Sequence, residues 1–193
     1  MKSTSIVIVG VGGQGTLLAS RILGALAAEM DLPVKVSEVH GMAQRGGNVI
    51  THVRIGEGIH SPLVESGGAD YLLAFEQLEA LRALPYLKPD GTLIVNTQKI
   101  PPMSVITGAA AYPEGIPEKL TAACRTVIMD ALALAREAGD ARAVNLALLG
   151  ALSRLTGTDR ALWHKAIEAS VPEKTLAINL RAFEKGYEEV SNE

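Results

Sequence analysis

Ile6-Val7-Ile8-Val9 runs straight into Gly10-Val11-Gly12-Gly13-Gln14-Gly15, and Thr16-Leu17-Leu18-Ala19-Ser20 then begins a helical pattern. No other stretch limits the possible folds so strongly. An unbroken β-branched run of this kind is a strand buried on both faces. Gly10, Gly12 and Gly15 stand in G-x-G-x-x-G spacing. That spacing serves a sharp strand-to-helix turn, close approach of a ligand to the backbone, and tight packing of helix on strand. Amides at such a helix start attract anions. The junction is the opening of an open α/β sheet, and the spacing alone names no cofactor.

The rest of the chain repeats the theme. Leu17, Leu18, Ile22, Leu23, Leu26 and Ala27 put one apolar face on a helix over 16–30, which Asp31-Leu32-Pro33 ends. Val34 to Val39 alternates, as a strand near a sheet edge does. His40 to Asn48 is glycine-rich and without apolar period, hence a loop at the carboxyl end of a strand. Val49 to Ile55 is a further strand, and Gly56-Glu57-Gly58 could turn Ile59-His60-Ser61-Pro62 back beside it as a hairpin, making the sheet mixed. Strands follow at Tyr71–Phe75 and Thr92–Asn96, with a helix from Glu76 to Leu84 and a turn at Pro89-Asp90-Gly91. The proline-rich 100–117 stretch is irregular, with room for a strand at Ser104–Thr107. Arg125–Met129 fits either an edge strand or the start of a helix to Ala138. Helices are expected over Arg142–Leu155, from the Thr158-Asp159 cap through Ala169, and from Pro172-Glu173 through Val190.

Composition narrows the function. The chain has 193 residues with formal net charge −3, of ordinary size for one domain. Mild acidity and scattered Lys and Arg give no reason to expect nucleic acid or an anionic membrane. Cys124 is the single cysteine, so the chain by itself holds neither an internal disulfide nor an iron–sulfur cluster. The four histidines lack metal-ligand spacing, and no metal site is expected. Lys2 leads directly into the strand pattern, unlike a signal peptide, and no apolar run approaches a membrane span. The expectation is a cytoplasmic protein.

Glu38, at the end of the second strand, stands where an acid meets the ribose of a bound dinucleotide. A free-standing dinucleotide-binding oxidoreductase is therefore one reading. Glycines placed only for turn and packing are another.

Three segments taken together resemble one family: Gly10 to Gly15, then Glu38-Val39-His40-Gly41-Met42-Ala43-Gln44-Arg45-Gly46-Gly47, then Ile59-His60-Ser61-Pro62-Leu63. They are similar to the gamma-type domain of 2-oxoacid:ferredoxin oxidoreductases, in particular its indolepyruvate branch. The similarity continues at Ala69-Asp70, Leu93 to Asn96, Asn145, Leu149-Gly150-Ala151, Asn179 to Phe183 and Gly186-Tyr187. The resemblance implies a small subunit, inactive alone, in a complex that oxidatively decarboxylates an aryl or other 2-oxoacid. Thiamine diphosphate and iron–sulfur clusters would sit on an alpha subunit, coenzyme A would take the acyl group, and ferredoxin would take the electrons.

Under that resemblance Arg45 is the leading catalytic candidate, a permanent cation suited to a carboxylate or phosphate, or else a salt bridge to loop or partner. His40 could titrate or donate to substrate, or simply pack the loop. Glu38 could instead pair with Arg45 or His40. Gly10, Gly12, Gly13, Gln14 and Gly15 would contact a phosphate or the partner chain, and Gly46 and Gly47 would admit coenzyme A or another subunit. Buried Asn145 and Asn179 must be hydrogen-bonded, with the 101–117 stretch as a candidate partner. The C-terminal helices could cover a homodimer interface or complete the core. The expected architecture is one gamma-type domain over 1–193, a three-layer α/β/α Rossmann-like mixed sheet with a helical C-terminal third. A scaffold subunit that only docks its partner is the third reading.

Overall fold

The computed structural model describes residues 3–40 and 47–190, His40 by its backbone alone. Strands β1 (Thr4–Val11), β2 (Val34–His40), β3 (Asn48–Ile55), β4 (Ala69–Ala74), β5 (Leu87–Asn96) and β6 (Arg125–Met129) form one sheet in the order β2-β3-β1-β4-β5-β6. β1, β4, β5 and β6 run parallel, whereas β3 lies antiparallel between β1 and β2.

The sheet is mixed, but the expected hairpin of 49–55 with 59–62 does not form. β3 turns back on β2 instead, and the glycine-rich 40–48 loop is the connection. The pairing follows from β-branched alternation on both strands, with Val36 opposite Val53 and Val39 opposite Ile50. As expected, β2 is an edge strand, and 125–129 is resolved as the other edge. Pro89-Asp90-Gly91 is not a turn but an irregularity inside β5, where the register against β4 shifts between Ala69 and Tyr71. Ser104–Thr107 is not a strand either: Met103–Ile106 makes one helical turn, α3.

Side chains alternate across β1 as a strand demands. Ile6 and Ile8 join the core under α1 (Thr16–Glu29), α5 (Ala131–Ala138), α6 (Val144–Thr156), α7 (Arg160–Ser170) and α8 (Glu173–Glu189). Val7 and Val9 join a smaller core under α2 (Gln77–Ala83) and α4 (Ile116–Ala123). That is the expected three-layer α/β/α arrangement with a helical C-terminal third. α6 is buried along residues 144–153 and is the central helix of its layer. Its Gly150 faces α8 so closely that a methyl there would lie 2.0 Å from the Phe183 carbonyl oxygen.

Asn145 and Asn179 are hydrogen-bonded, but not to the 101–117 stretch. Asn145 Nδ2 donates to the Gly15 carbonyl at 3.4 Å, and Asn179 Nδ2 to the Thr175 carbonyl at 2.9 Å. The Thr175 carbonyl lies one helical turn back on α8, and the Gly15 carbonyl is brought to Asn145 by the packing of the α1 start against α6, whereas the irregular stretch lies on the opposite layer.

His52, on β3, is a structural histidine. It is buried, its Nδ1 accepts from the Val64 amide at 3.3 Å, and its ring stands edge-on to Tyr86. Burial lowers its pKa below the ordinary 6.5. The unfolded chain therefore takes up the proton first, and His52 contributes stability above pH 6.5 that is lost as the pH falls below it. Melting temperatures measured from pH 7.5 to 5 should decline, and His52→Asn, which keeps an acceptor but does not titrate, should flatten that decline. An identical pH profile in the variant would refute the assignment.

Candidate functional site

The carboxyl ends of β1, β4 and β5 form the upper rim, where open α/β sheets place ligands. The turn from β1 into α1 is built as its glycines predict. Gly13 and Gly15 have φ of +103° and +87°, values that side-chain-bearing residues adopt only with strain. A Cβ on Gly10 would sit 2.9 Å from Gln14 Oε1 and 3.0 Å from Phe75 Cβ, so the turn packs against β4.

Gln14 locks this turn. Its Oε1 accepts from the Val11 amide at 2.7 Å, and its Nε2 donates to the Phe75 carbonyl at 3.1 Å and to Gln98 Oε1 at 3.2 Å. Asn96 extends the network, donating to the Phe75 carbonyl and accepting from the Ala131 amide at 3.1 Å. Gln14 thus ties β1, β4 and the end of β5 together, a positional role that the sequence left open between ligand and partner contact.

Above the turn lies a cleft of about 430 Å³ lined by Gly13, Gln14, Gly15, Gln98, Arg142 and Asn145 among others. No side chain caps the start of α1, and its first turn carries no acidic residue. The uncapped α1 amides make the cleft suited to an anion, with the Arg142 guanidinium, ion-paired to Asp140, at its edge. Arg142 is held there by Asp140, with Nε to Oδ1 at 3.1 Å and Nη2 to Oδ2 at 2.6 Å. Sequence reasoning did not assign Arg142 or Gln98 to a site. Nothing in their local pattern marks them, because the cleft gathers residues more than a hundred positions apart. Asn145 alone gave a signal, as a polar residue inside an apolar helix.

A second cleft of about 230 Å³ opens on the other face of the sheet, lined by Val9, Asn48, Ile50, Glu79, Arg82 and Tyr86 among others. Burial pushes the Glu79 carboxyl above the usual range, and Arg82, 2.6 Å away, opposes that shift. The glycine turn meets the 40–48 loop directly: the Gly12 amide donates to the Gly47 carbonyl at 2.9 Å. Gly12 and Gly47 are thereby brought together, a contact that the sequence did not indicate. Arg45 and Gly46 lie outside the described residues, as does the His40 side chain.

Glu38 is not placed where a dinucleotide site needs its acid. β3 lies between β2 and β1, so Glu38 is two strand spacings, about 10 Å, from the glycine-bearing strand. It accepts from Thr51 Oγ1 at 3.2 Å. The reading of Glu38 as a ribose ligand therefore loses its geometric support. Sequence distance alone could not show that an antiparallel strand intervenes.

The sequence profile of the family described as pyruvate ferredoxin/flavodoxin oxidoreductase matches residues 5–189. The chain is 44% identical over 193 residues to indolepyruvate oxidoreductase subunit IorB of Thermococcus kodakarensis, covering 96% of this chain and 95% of that protein. It is 32% identical over 186 residues to ketoisovalerate oxidoreductase subunit VorA of Methanothermobacter thermautotrophicus, covering 94% of this chain but 35% of that longer protein. Among solved structures, pyruvate oxidoreductase subunit PORC of Thermotoga maritima superposes with a TM-score of 0.77 at 27% identity, over 99% of this chain and 98% of the other.

Proposed function

The chain belongs to the pyruvate ferredoxin/flavodoxin oxidoreductase family, and from that membership we propose that it is the small subunit of an indolepyruvate-type 2-oxoacid:ferredoxin oxidoreductase. The observation that carries the proposal is the 44% identity to an indolepyruvate oxidoreductase subunit across nearly the whole of both chains. The chain acts as one gamma-type domain over 1–193, in the cytoplasm. The reaction is oxidative decarboxylation of an aryl 2-oxoacid to its acyl-coenzyme A, with electrons passing to ferredoxin.

The division of labour follows from the residues present. Cys124, the only cysteine, is half-buried with Sγ against Thr126 Oγ1 and the Leu120 carbonyl. It offers no ligand set for a cluster, so iron–sulfur clusters are assigned to the alpha subunit, and thiamine diphosphate is placed there with them from the family membership. Coenzyme A is different. It supplies the thiol that takes the acyl group, and its phosphates match what the upper cleft offers: uncapped α1 amides, Arg142 and the Asn145 amide. A side chain at Gly15 would close this approach, since its Cβ would lie 3.0 Å from Asn145 Nδ2. Gly10, Gly12, Gly13, Gln14 and Gly15 shape and lock the turn, while Gly46 and Gly47 leave room for the coenzyme or the alpha subunit. Arg45, on the loop that touches the glycine turn, is proposed to orient a carboxylate or phosphate at the subunit junction, and His40 to hydrogen-bond beside it.

The test is anaerobic reduction of an electron acceptor by the chain together with its alpha subunit, offering indolepyruvate, phenylpyruvate, pyruvate and 2-oxoglutarate in turn with coenzyme A. Activity should need both chains and favour the aryl substrates. Arg45→Ala should assemble normally and lose about 10²-fold or more in kcat/KM, the usual scale for a misplaced orienting group. Full turnover in that variant would remove Arg45 from the site and favour a docking-only loop. A stable complex without activity on any 2-oxoacid would overturn the substrate class.

A further inference from the structure

The segment between β5 and α4 carries no charged side chain from Ile100 to Pro113, yet almost all of 101–111 is exposed. Surface loops are ordinarily polar, and interface cores are the places depleted of charge. Met103 and Ile106, one helical turn apart on α3, are each 66% exposed, and Ala109, Ala110 and Ala111 are exposed beside them. The arm is fastened at both ends to one group: the buried Glu76 carboxylate accepts from the Ile100 amide at 3.0 Å and from the Tyr112 hydroxyl. It is an apolar knob on a fixed base.

Its position matters as much as its composition. It springs from the upper rim, which also carries exposed Leu17 at the start of α1, Val39 near the end of β2 and Ile128 near the end of β6. Among the described residues, the other large exposed apolar side chains are Val36 on the edge strand and Leu63 at the lower end of the sheet.

We propose that this arm is the docking element that seats the chain in an uncharged apolar groove of the large, chemistry-bearing subunit. The inference rests on the functional reading above. The large subunit is favoured over a second copy by the ketoisovalerate relative. There the stretch similar to this chain makes up 35% of the protein and is covalently joined to the remainder. A separate chain must replace that covalent link with a contact surface, and under the functional reading above the rim bearing the anion cleft is the side that faces the missing chemistry. A knob fixed at both ends loses little freedom on docking, which favours tight association.

The experiment compares binding of the purified large subunit to the wild-type chain, to Met103→Ser/Ile106→Ser and to Leu63→Ser, by titration calorimetry. The double variant should weaken the dissociation constant roughly ten- to hundredfold, the scale of losing central apolar anchors. It should melt as the wild type does, because both side chains are already exposed. Leu63→Ser should bind as the wild type. A double variant within twofold of wild type, or equal weakening by Leu63→Ser, would overturn the arm while leaving the functional reading intact. A homodimer of the isolated chain that only the double variant dissolves would assign the arm to a second copy and also overturn the proposal. Failure of the wild-type chain to bind the large subunit at all would sink the functional reading itself, and the arm with it.

Discussion

Gly186→Ala should destabilise the protein by about 3 kcal/mol or more, beyond the usual overpacking cost because the clash is with backbone. A Cβ at Gly186 would lie 1.8 Å from the Ala147 carbonyl oxygen and 2.5 Å from its carbon. Neither atom can swing away, so α6 and α8 must separate. Their contact buries Phe183, Ala182, Leu146 and Ala147, and prising it apart loosens the packing of the whole layer. For a chain of this size, 3 kcal/mol corresponds to a fall in melting temperature of roughly 6–12 °C. Gly24→Ala is the matched control. Gly24 also lies within a helix, but nothing stands within 4 Å of its added Cβ. That substitution should be neutral or stabilise by about 0.5–1 kcal/mol, from helix propensity alone. Melting of Gly186→Ala within two degrees of the wild type, a margin on the scale of about 1 kcal/mol, would show that the two helices are not in the contact described.

The second large effect belongs to Glu76. It caps α2 by accepting from the Glu79 amide at 2.9 Å, and the same carboxylate receives the Ile100 amide and the Tyr112 hydroxyl. It is fully buried. A buried carboxylate is tolerated when its lone pairs are satisfied, as these are. Glu76→Leu strands three donors at once and should cost about 3–5 kcal/mol, since each orphaned buried group costs about 1–3 kcal/mol without full additivity. Glu76→Gln keeps the shape but turns an NH₂ toward a donor, and should cost about 2 kcal/mol. Both should release the 100–112 arm, raising its proteolytic susceptibility and weakening association with the large subunit even at temperatures where the fold persists.

Tyr112 provides an independent reading of this latch. Burial first, then its hydrogen bond to Glu76 and the charge of that carboxylate, push its hydroxyl well above the ordinary value of 10. The unfolded chain therefore loses this proton first. The latch contributes its full stability below pH 10 and loses it progressively as pH rises above 10. Tyr112→Phe should remove that part of the alkaline slope in denaturation curves taken between pH 9 and 11. An unchanged slope would mean that the hydroxyl does not hold the arm.

What the sequence determined by itself was everything encoded locally. The Ile6–Val9 run, the glycine spacing and the helical apolar periods specified a three-layer α/β chain, since strand burial and φ > 0 turns depend on residues close in sequence. The edge position of β2 was legible in its alternation, and the positive-φ turn into α1 in the glycine spacing. The glycine turn, the 38–47 motif and the 59–63 segment together were enough to indicate the family.

Tertiary structure decided what depends on which segments meet. The insertion of β3 between β2 and β1 moved Glu38 away from the glycine turn, because strand order is set by pairing partners and not by distance along the chain. Phe75, Gln98 and Arg142, which meet Gln14 in its lock or in the cleft, lie 61, 84 and 128 positions from it along the chain. No period or spacing relates them. Gly150 and Gly186 fell inside expected helices with nothing local to mark them, and only the crossing of α6 over α8 shows that each glycine lets another backbone touch it. Glu76 read as the first residue of a helix. Its function as the fastening of a distant apolar arm exists only once Ile100 and Tyr112 are folded onto the same carboxylate.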